Sequence, residues 1–244
     1  IMINILVLGH KGMLGHMVYK VFSDYSKYKV VTINERFPNW NKEIFNNIDF
    51  VINCIGAIPQ KTNEFDINWQ IPLWLNENTN CKVIHPATDC EKDDNSYAIS
   101  KKQASSYIKD YCKSTKIIQT SVIGPELNSN VCLLEWFLSQ KGEVYGYTDA
   151  IWNGVTTLEW AKQCKIIINS WDIAPILTIL HSNKVSKFKL LYTIQECYGK
   201  RDVIIMPKRL GSDRTLKGNI KVKNIQEQII ELINYTDEFN NINS

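Results

Sequence analysis

The stretch INILVLGHKGMLG, residues 3–15, decides the fold. Its first part, Ile3 to Leu8, is a short, nearly continuous apolar run of the kind that forms a strand buried on both faces. Gly9, Gly12 and Gly15 follow immediately, and MVYKVFSDY (17–25) then sets apolar residues at helical spacing. Glycines between a buried strand and a helix allow a tight turn, close approach of backbone to a pyrophosphate, and close helix–strand packing. The helix N-terminus adds unpaired N–H groups and a positive dipole end. A glycine triplet alone is a weak signal, but in this position it reads as a nucleotide-binding turn.

Further along, the pattern repeats. YKVVTIN (28–34), IDFVINCIGAIP (48–59), CKVIHPATD (81–89) and KIIQTSVIGP (116–125) read as strands. DINWQIPLWL (66–75), with Pro72 near its start or kinking it, and SYAISKKQASSYIKDYC (96–112), with Ser96 as N-cap, read as helices. The alternation predicts an α/β, Rossmann-type, doubly wound parallel sheet whose strand ends face one ligand crevice. At the end of the second strand, an acid favours a free ribose 2′-OH and an arginine a 2′-phosphate. The order Asn34, Glu35, Arg36 is ambiguous; Arg36 and Lys11 together tilt the reading towards NADP(H), with NADH open.

From about residue 125 the pattern changes to amphipathic helices at 133–140, 157–168, 184–198 (Ser182 or Asn183 as cap) and 225–235. This divides the chain into a dinucleotide-binding domain (1–124), a small, mostly helical substrate-binding region (125–235) and a polar, frayed tail (236–244). Helix 157–168 is expected to pack back on the first domain. Most aromatic residues here belong to core packing. Trp152, beside Asn153-Gly154 in a loop, is the one set against a ligand.

The chemistry-bearing stretch is PATDCEKDDNSYAISK (86–101). Thr88 ends a buried strand, and Tyr97 and Lys101 stand at i, i+4, one helical turn apart on one face. A nearby ammonium favours phenolate and lowers a tyrosine pKa, so Tyr97 can pass a proton to a carbonyl oxygen. Tyr25 and Lys29 share that spacing with no chemical context, so the spacing alone carries little.

With 244 residues, 44% hydrophobic and 22% charged, the chain reads as an ordinary globular protein. A net charge of +3 without a basic, aromatic-interleaved stripe gives a nucleic-acid role little support. Seven scattered cysteines without a Cys-x-x-Cys pair argue for a reducing compartment and against a zinc site or disulfide framework. No apolar run has membrane-spanning length, and the chain enters a strand at once, so a cytoplasmic protein without metal or membrane partner is expected.

Taken together, these motifs resemble the extended short-chain dehydrogenase/reductase superfamily, and within it the dTDP-4-dehydrorhamnose reductase family of nucleotide-sugar reductases. GHKGMLG is similar to its cofactor turn, VINCIGAI to the strand lining the cofactor, and INWQIP to its Val-Asn-x-x-x-Pro helix. ATD is similar to its Ser-Thr-Asp and YAISK to its Tyr-x-x-x-Lys. QTSVIGP resembles its Arg-Thr-Ser segment with Gln119 in place of arginine, and WNGVTTLEWAK and GSDRTL also resemble motifs of such reductases.

The resemblance implies NADPH along Gly9, Lys11, Gly12, Met13, Leu14 and Gly15, near Arg36, and against Asn53, Cys54, Ile55 and Gly56, with its nicotinamide near Lys101 and Val122. It implies a nucleotide-sugar substrate at Thr88, Asp89, Tyr97, Val122 and Trp152. The implied reaction reduces the 4-keto group of a dTDP- or UDP-linked 4-keto-6-deoxy sugar. Tyr97 donates the proton, Lys101 lowers its pKa and holds the nicotinamide ribose, and Thr88 hydrogen-bonds the carbonyl oxygen. The WNGVTT loop leans towards an N-acetylated UDP-sugar, and many relatives are dimers. Two alternatives stand beside this: a non-catalytic NADP-binding regulatory subunit, and a nucleotide-sugar epimerase or dehydratase. The latter needs additional acid/base residues near the tyrosine, and no such pair is evident in the sequence. Two stretches, 34–48 and 88–97, are shorter than the family pattern, which predicts residues missing near Cys90–Glu91 and near Arg36–Pro38, real deletions being the other reading.

Overall fold

The computed structural model describes residues 2–242. In chain order the elements begin β1 (Ile3–Leu8), α1 (Met13–Ser23), β2 (Tyr28–Thr32), β3 (Phe50–Asn53), α2 (Ile67–Asn78), β4 (Lys82–Ala87), α3 (Ser96–Tyr111) and β5 (Thr115–Gln119). They continue with β6 (Val122–Ile123), α4 (Leu133–Ser139), β7 (Gly142–Tyr147), β8 (Ile151–Trp152), β9 (Val155–Thr156) and α5 (Thr157–Asn169). The last are β10 (Leu177–His181), β11 (Val185–Ser186), α6 (Lys187–Tyr198), β12 (Val203–Lys208), β13 (Ile220–Lys221) and α7 (Ile225–Ile242).

A seven-stranded sheet runs in the order β13-β10-β5-β4-β3-β1-β2. The pairs β1–β2, β1–β3, β3–β4 and β4–β5 are all parallel, as the alternating sequence predicts. The chain steps from β1 to β2 on one side and returns with β3 on the other. The switch point, where such sheets bind ligands, therefore lies between the carboxyl ends of β1 and β3.

Two compact units are present. The first comprises Ile1–Gln119 and Ala161–Thr178, and the second Thr120–Trp160 and Ile179–Ser244. In the first, Asn169 at the end of α5 accepts hydrogen bonds from Lys27 and from the Tyr28 hydroxyl. In the second, β12 pairs with β7 in parallel and α6 packs against both strands.

Between β2 and β3 the described residues form a single 3-10 turn (Lys42–Asn47). Aromatic side chains fill the space. Trp40 and Trp74 meet edge-to-face with centroids 5.2 Å apart, and Phe45 lies 5.4 Å from Trp74. They join Leu6, Leu8, Val51, Ile71 and Leu75 in one core cluster. Large rings bury enough apolar surface to close so short a connection.

Several boundaries differ from expectation. Asn95, not Ser96, caps α3, its Oδ1 accepting the Ala98 N–H at 2.9 Å. Ser186 caps α6 in place of Ser182 or Asn183, because Val185–Ser186 first pairs as a strand with β8. Helix α7 continues to Ile242 through the segment expected to fray, which contains no glycine or proline to stop it. Residues 243–244 of that tail lie outside the described residues. No helix among the described residues is long and apolar enough to cross a membrane.

Candidate active site

The site grows from the carboxyl ends of β1, β3 and β4. At β1, Gly9 takes φ +75°, the left-handed region that favours glycine. A Cβ at Gly15 would sit 2.1 Å from the Gly9 carbonyl oxygen, so the helix can approach the strand only through glycine. The β3 end packs onto this turn, with the Cys54 N–H donating to the Leu8 carbonyl at 3.0 Å. Helix α1 starts at Gly12 with no side-chain cap and no acid in its first turn. Its first N–H groups are thus left for an anion. Gly12 and Gly56 face space that a side chain would fill, their nearest obstacles being one atom each at 3.3 and 3.4 Å. These features fit the diphosphate of a dinucleotide. Lys11 and Arg36 are exposed, while Met13 and Leu14 open the helix, Leu14 buried. Arg36, Ile55 and Gly56 line a cleft of about 1140 Å³ together with Lys61, Trp69 and Ser100.

Two buried amides hold the β3 end in place. Asn53 accepts the Ile55 N–H at 3.1 Å and donates from Nδ2 to His85 Nδ1 at 3.2 Å. His85 is 1% exposed, and its Nε2 has no partner among the described residues. Burial, with the charge of Lys101, holds its pKa well below 6.5, so it stays neutral. Asn68 accepts the Ala57 N–H (2.8 Å) and donates to the Ala57 carbonyl (3.1 Å) and to Ser100 Oγ (3.0 Å). Ser100 in turn donates to the Tyr97 carbonyl at 2.7 Å. One side chain therefore ties the Gly56–Ala57 segment to the first turn of α3. Asn68 lies within INWQIP, where sequence alone assigns it no role. The available signal was a polar residue on the same helix face as Ile71, Pro72 and Leu75.

Strand β4 ends at Thr88, which caps a 3-10 turn over Asp89–Lys92. Its hydroxyl accepts the Cys90 N–H (3.2 Å) and donates to Asp89 Oδ1 (3.0 Å), and Gln119 Nε2 donates to its carbonyl (3.0 Å). That turn and the Asn95 cap lead the chain from β4 into α3. Tyr97, in the first turn of α3, has its phenol within reach of the Thr88 hydroxyl and packs against Phe65 with centroids 5.6 Å apart. Lys101, 6% exposed, donates to the Pro86 carbonyl at 2.7 Å. Thr88, Asp89, Tyr97 and Lys101 thus come together as expected residues at one strand end.

The electrostatics correct one expectation. The Tyr97 phenol is not drawn towards neutrality by Lys101; burial, then the charges of Cys90, Asp89 and Glu91, pushes it up to about 12, the Thr88 hydrogen bond alone opposing. The lysine instead is pushed down to about 8 by burial, with Glu91 acting in the opposite sense. A second expectation also changes. The sequence showed no acid pair beside the tyrosine, yet the short turn brings both Asp89 and Glu91 within electrostatic reach of Tyr97.

Val122 and Trp152 belong to the second unit. Val122 pairs with Val155 in the β6–β9 ladder. Trp152, expected against a ligand, is 2% exposed in β8, with Lys187 Nζ 5.0 Å from its ring centroid and its Nε1 without a partner among the described residues. The missing side chain at Gly154 makes room for it, since a Cβ there would fall 2.4 Å from the indole. The aromatics that line this unit's cavity of about 500 Å³ are Trp136, Tyr145 and Tyr147, with Glu143 and Lys187.

No protein-family model matches the sequence, and no curated protein sequence does. Solved structures do resemble the chain in fold. A dTDP-4-dehydrorhamnose reductase from Bacillus anthracis in complex with NADP aligns at a TM-score of 0.76 and 13% identity, over 96% of this chain and 100% of that one. The corresponding enzyme from Clostridium acetobutylicum aligns at 0.72 and 15% identity, over 96% and 100%. A UDP-glucuronic acid 4-epimerase from Bacillus cereus, a Tyr→Phe mutant bound to NAD and a fluorinated UDP-sugar, aligns at 0.72 and 13% identity, over 97% and 100%. At 13–15% identity the likeness is one of fold: this chain shares the α/β, doubly wound architecture of these nucleotide-sugar enzymes.

Proposed function

We propose that this chain is a NAD(P)H-dependent reductase of the 4-keto group of a dTDP- or UDP-linked 4-keto-6-deoxy sugar. The observation that carries the reading is the convergence of Thr88, Tyr97 and Lys101 at the end of β4. A nicotinamide dinucleotide, when bound, supplies the hydride. The chain's own residues do the rest. Tyr97, which keeps its proton across the physiological range, gives it to the C4 oxygen. The Thr88 hydroxyl lies beside it to hydrogen-bond that oxygen as charge develops. Lys101 offers an ammonium to the nicotinamide ribose. The uncapped α1 N-terminus and the Asn53- and Asn68-braced segment at residues 54–57 cradle the diphosphate. Arg36 and Lys11 support a preference for the 2′-phosphate of NADPH.

A second reading, a nucleotide-sugar epimerase or dehydratase, draws support from Asp89 and Glu91 beside Tyr97. Those reactions return their cofactor to its starting state. The two readings separate in one assay, in which dTDP- and UDP-4-keto-6-deoxy sugars, with hydroxyl or acetamido at C2, are offered with NADPH or NADH and the reduced-nicotinamide absorbance is followed. The reductase consumes one reduced cofactor per sugar. Conversion of sugar without net consumption supports the second reading, and no conversion of any substrate a retired, regulatory protein.

A further inference from the structure

The 3-10 turn between β4 and α3 carries a carboxylate that the reaction above leaves idle. Glu91 Oε1 accepts a hydrogen bond from Ser105 Oγ at 2.7 Å. Ser105 stands four residues beyond Lys101 on α3, so the two share one helix face a single turn apart. Both are buried. The Ser105 bond therefore delivers the Glu91 carboxylate to the face of α3 that carries the lysine. The other end of the turn is fixed as well, by the Thr88 cap on Cys90 and by Asp93 N–H donating to the Cys90 carbonyl at 3.0 Å. A carboxylate enclosed in this way costs free energy unless a cation and hydrogen bonds compensate it.

We propose that Glu91 is a positioning residue, the counter-charge, anchored by Ser105, that keeps Lys101 an ammonium beside Tyr97. This rests on the reading of Tyr97 and Lys101 as the reductive pair. The charged surroundings on each side are few. Lys101 meets Glu91 from the turn, the neutral His85 from β4, and the Pro86 carbonyl. Glu91 meets Lys101 and, further along α3, Lys109, together with the Ser105 hydroxyl and the Thr88 backbone. Tyr97 meets Asp89, Cys90 and Thr88 in addition to Glu91. Burial of Lys101 favours loss of its proton, and Glu91 opposes that loss. With Glu91 Oε1 tied to Ser105, the proposed influence of the carboxylate runs through Lys101.

The test is a direct titration of Lys101 by 15N-lysine NMR of the full, unliganded chain, assigned with Lys101→Arg. In Glu91→Gln the titration moves to lower pH by about 1 unit, as expected for loss of a neighbouring opposite charge. Ser105→Ala keeps the carboxylate but frees it, and produces a smaller shift in the same direction. The pH profile of kcat/KM for keto-sugar reduction follows, with turnover of Glu91→Gln lost preferentially on the alkaline side. An unmoved Lys101 titration in a folded Glu91→Gln overturns the proposal. So does a loss of turnover equal at every pH with NADPH binding intact, which would make Glu91 an acid or base acting on substrate. If the titration moves and the wild-type chain reduces no substrate, the electrostatic role stands and the reductase reading falls.

Discussion

The Lys101 ammonium donates a hydrogen bond to the Pro86 carbonyl oxygen at 2.7 Å, fastening α3 to the strand that leads to Thr88. Burial at this point lowers the lysine to about 8, while the Tyr97 phenol is raised to about 12. The first proton lost on raising the pH therefore belongs to the lysine. The expected outcome is that kcat/KM, which reports the free enzyme, falls as pH rises through about 8. Lys101→Arg, which keeps its charge, lacks that limb even if its turnover is low.

Tyr97→Phe removes the proton donor and keeps the ring against Phe65. Turnover should drop by roughly 10²- to 10⁴-fold, the usual contribution of a positioned general acid. NADPH affinity, measured by quenching of tryptophan fluorescence, should change little. Equal loss of both would instead indicate a damaged fold.

Asn68→Ala leaves the Ala57 N–H and carbonyl and the Ser100 hydroxyl without their shared partner. An unsatisfied buried polar group costs about 1–3 kcal/mol. Urea denaturation should register a loss in that range, and because the amide joins the segment proposed to cradle the cofactor to the turn of Tyr97, KM for NADPH should rise and kcat fall together.

His85 gives stability a pH dependence of known sign. Its folded-state pKa lies well below 6.5, so the unfolded chain takes up a proton on acidification that the folded chain refuses. The stability present above pH 6.5 is therefore lost progressively as pH falls below it. His85→Asn removes this contribution, and its melting temperature should decline less between neutral and mildly acidic pH than that of the wild type.

The sheet was readable because buried parallel strands are written as apolar runs, as in Ile3–Leu8 and Phe50–Asn53, and because Gly9, Gly12 and Gly15 follow one of them. That Tyr97 and Lys101 stand one turn apart on α3 was readable from a period, and the position of Thr88 from the end of an apolar run. What the residues did not reveal depended on the third dimension. That Lys101 reaches Pro86, and that Asp89 and Glu91 come within electrostatic reach of the phenol, follows from the fold of one short 3-10 turn. Trp152 looked like a ligand contact because it stands in a polar loop, but Gly154 clears a buried place for its ring. The pairing of β7 with β12 joins segments some sixty residues apart in a region where only helices announce themselves, so no local pattern marks it.

In the proposed reaction, hydride passes from a nicotinamide to the sugar C4 while Tyr97 supplies the proton. Incubation with NADPH deuterated at the transferring position, followed by NMR of the product, tests it most directly. Deuterium at C4, one oxidised cofactor released per sugar, and the loss of both in Tyr97→Phe are the expected results. Sugar converted with no deuterium at C4, or with deuterium returned to the cofactor, would contradict it.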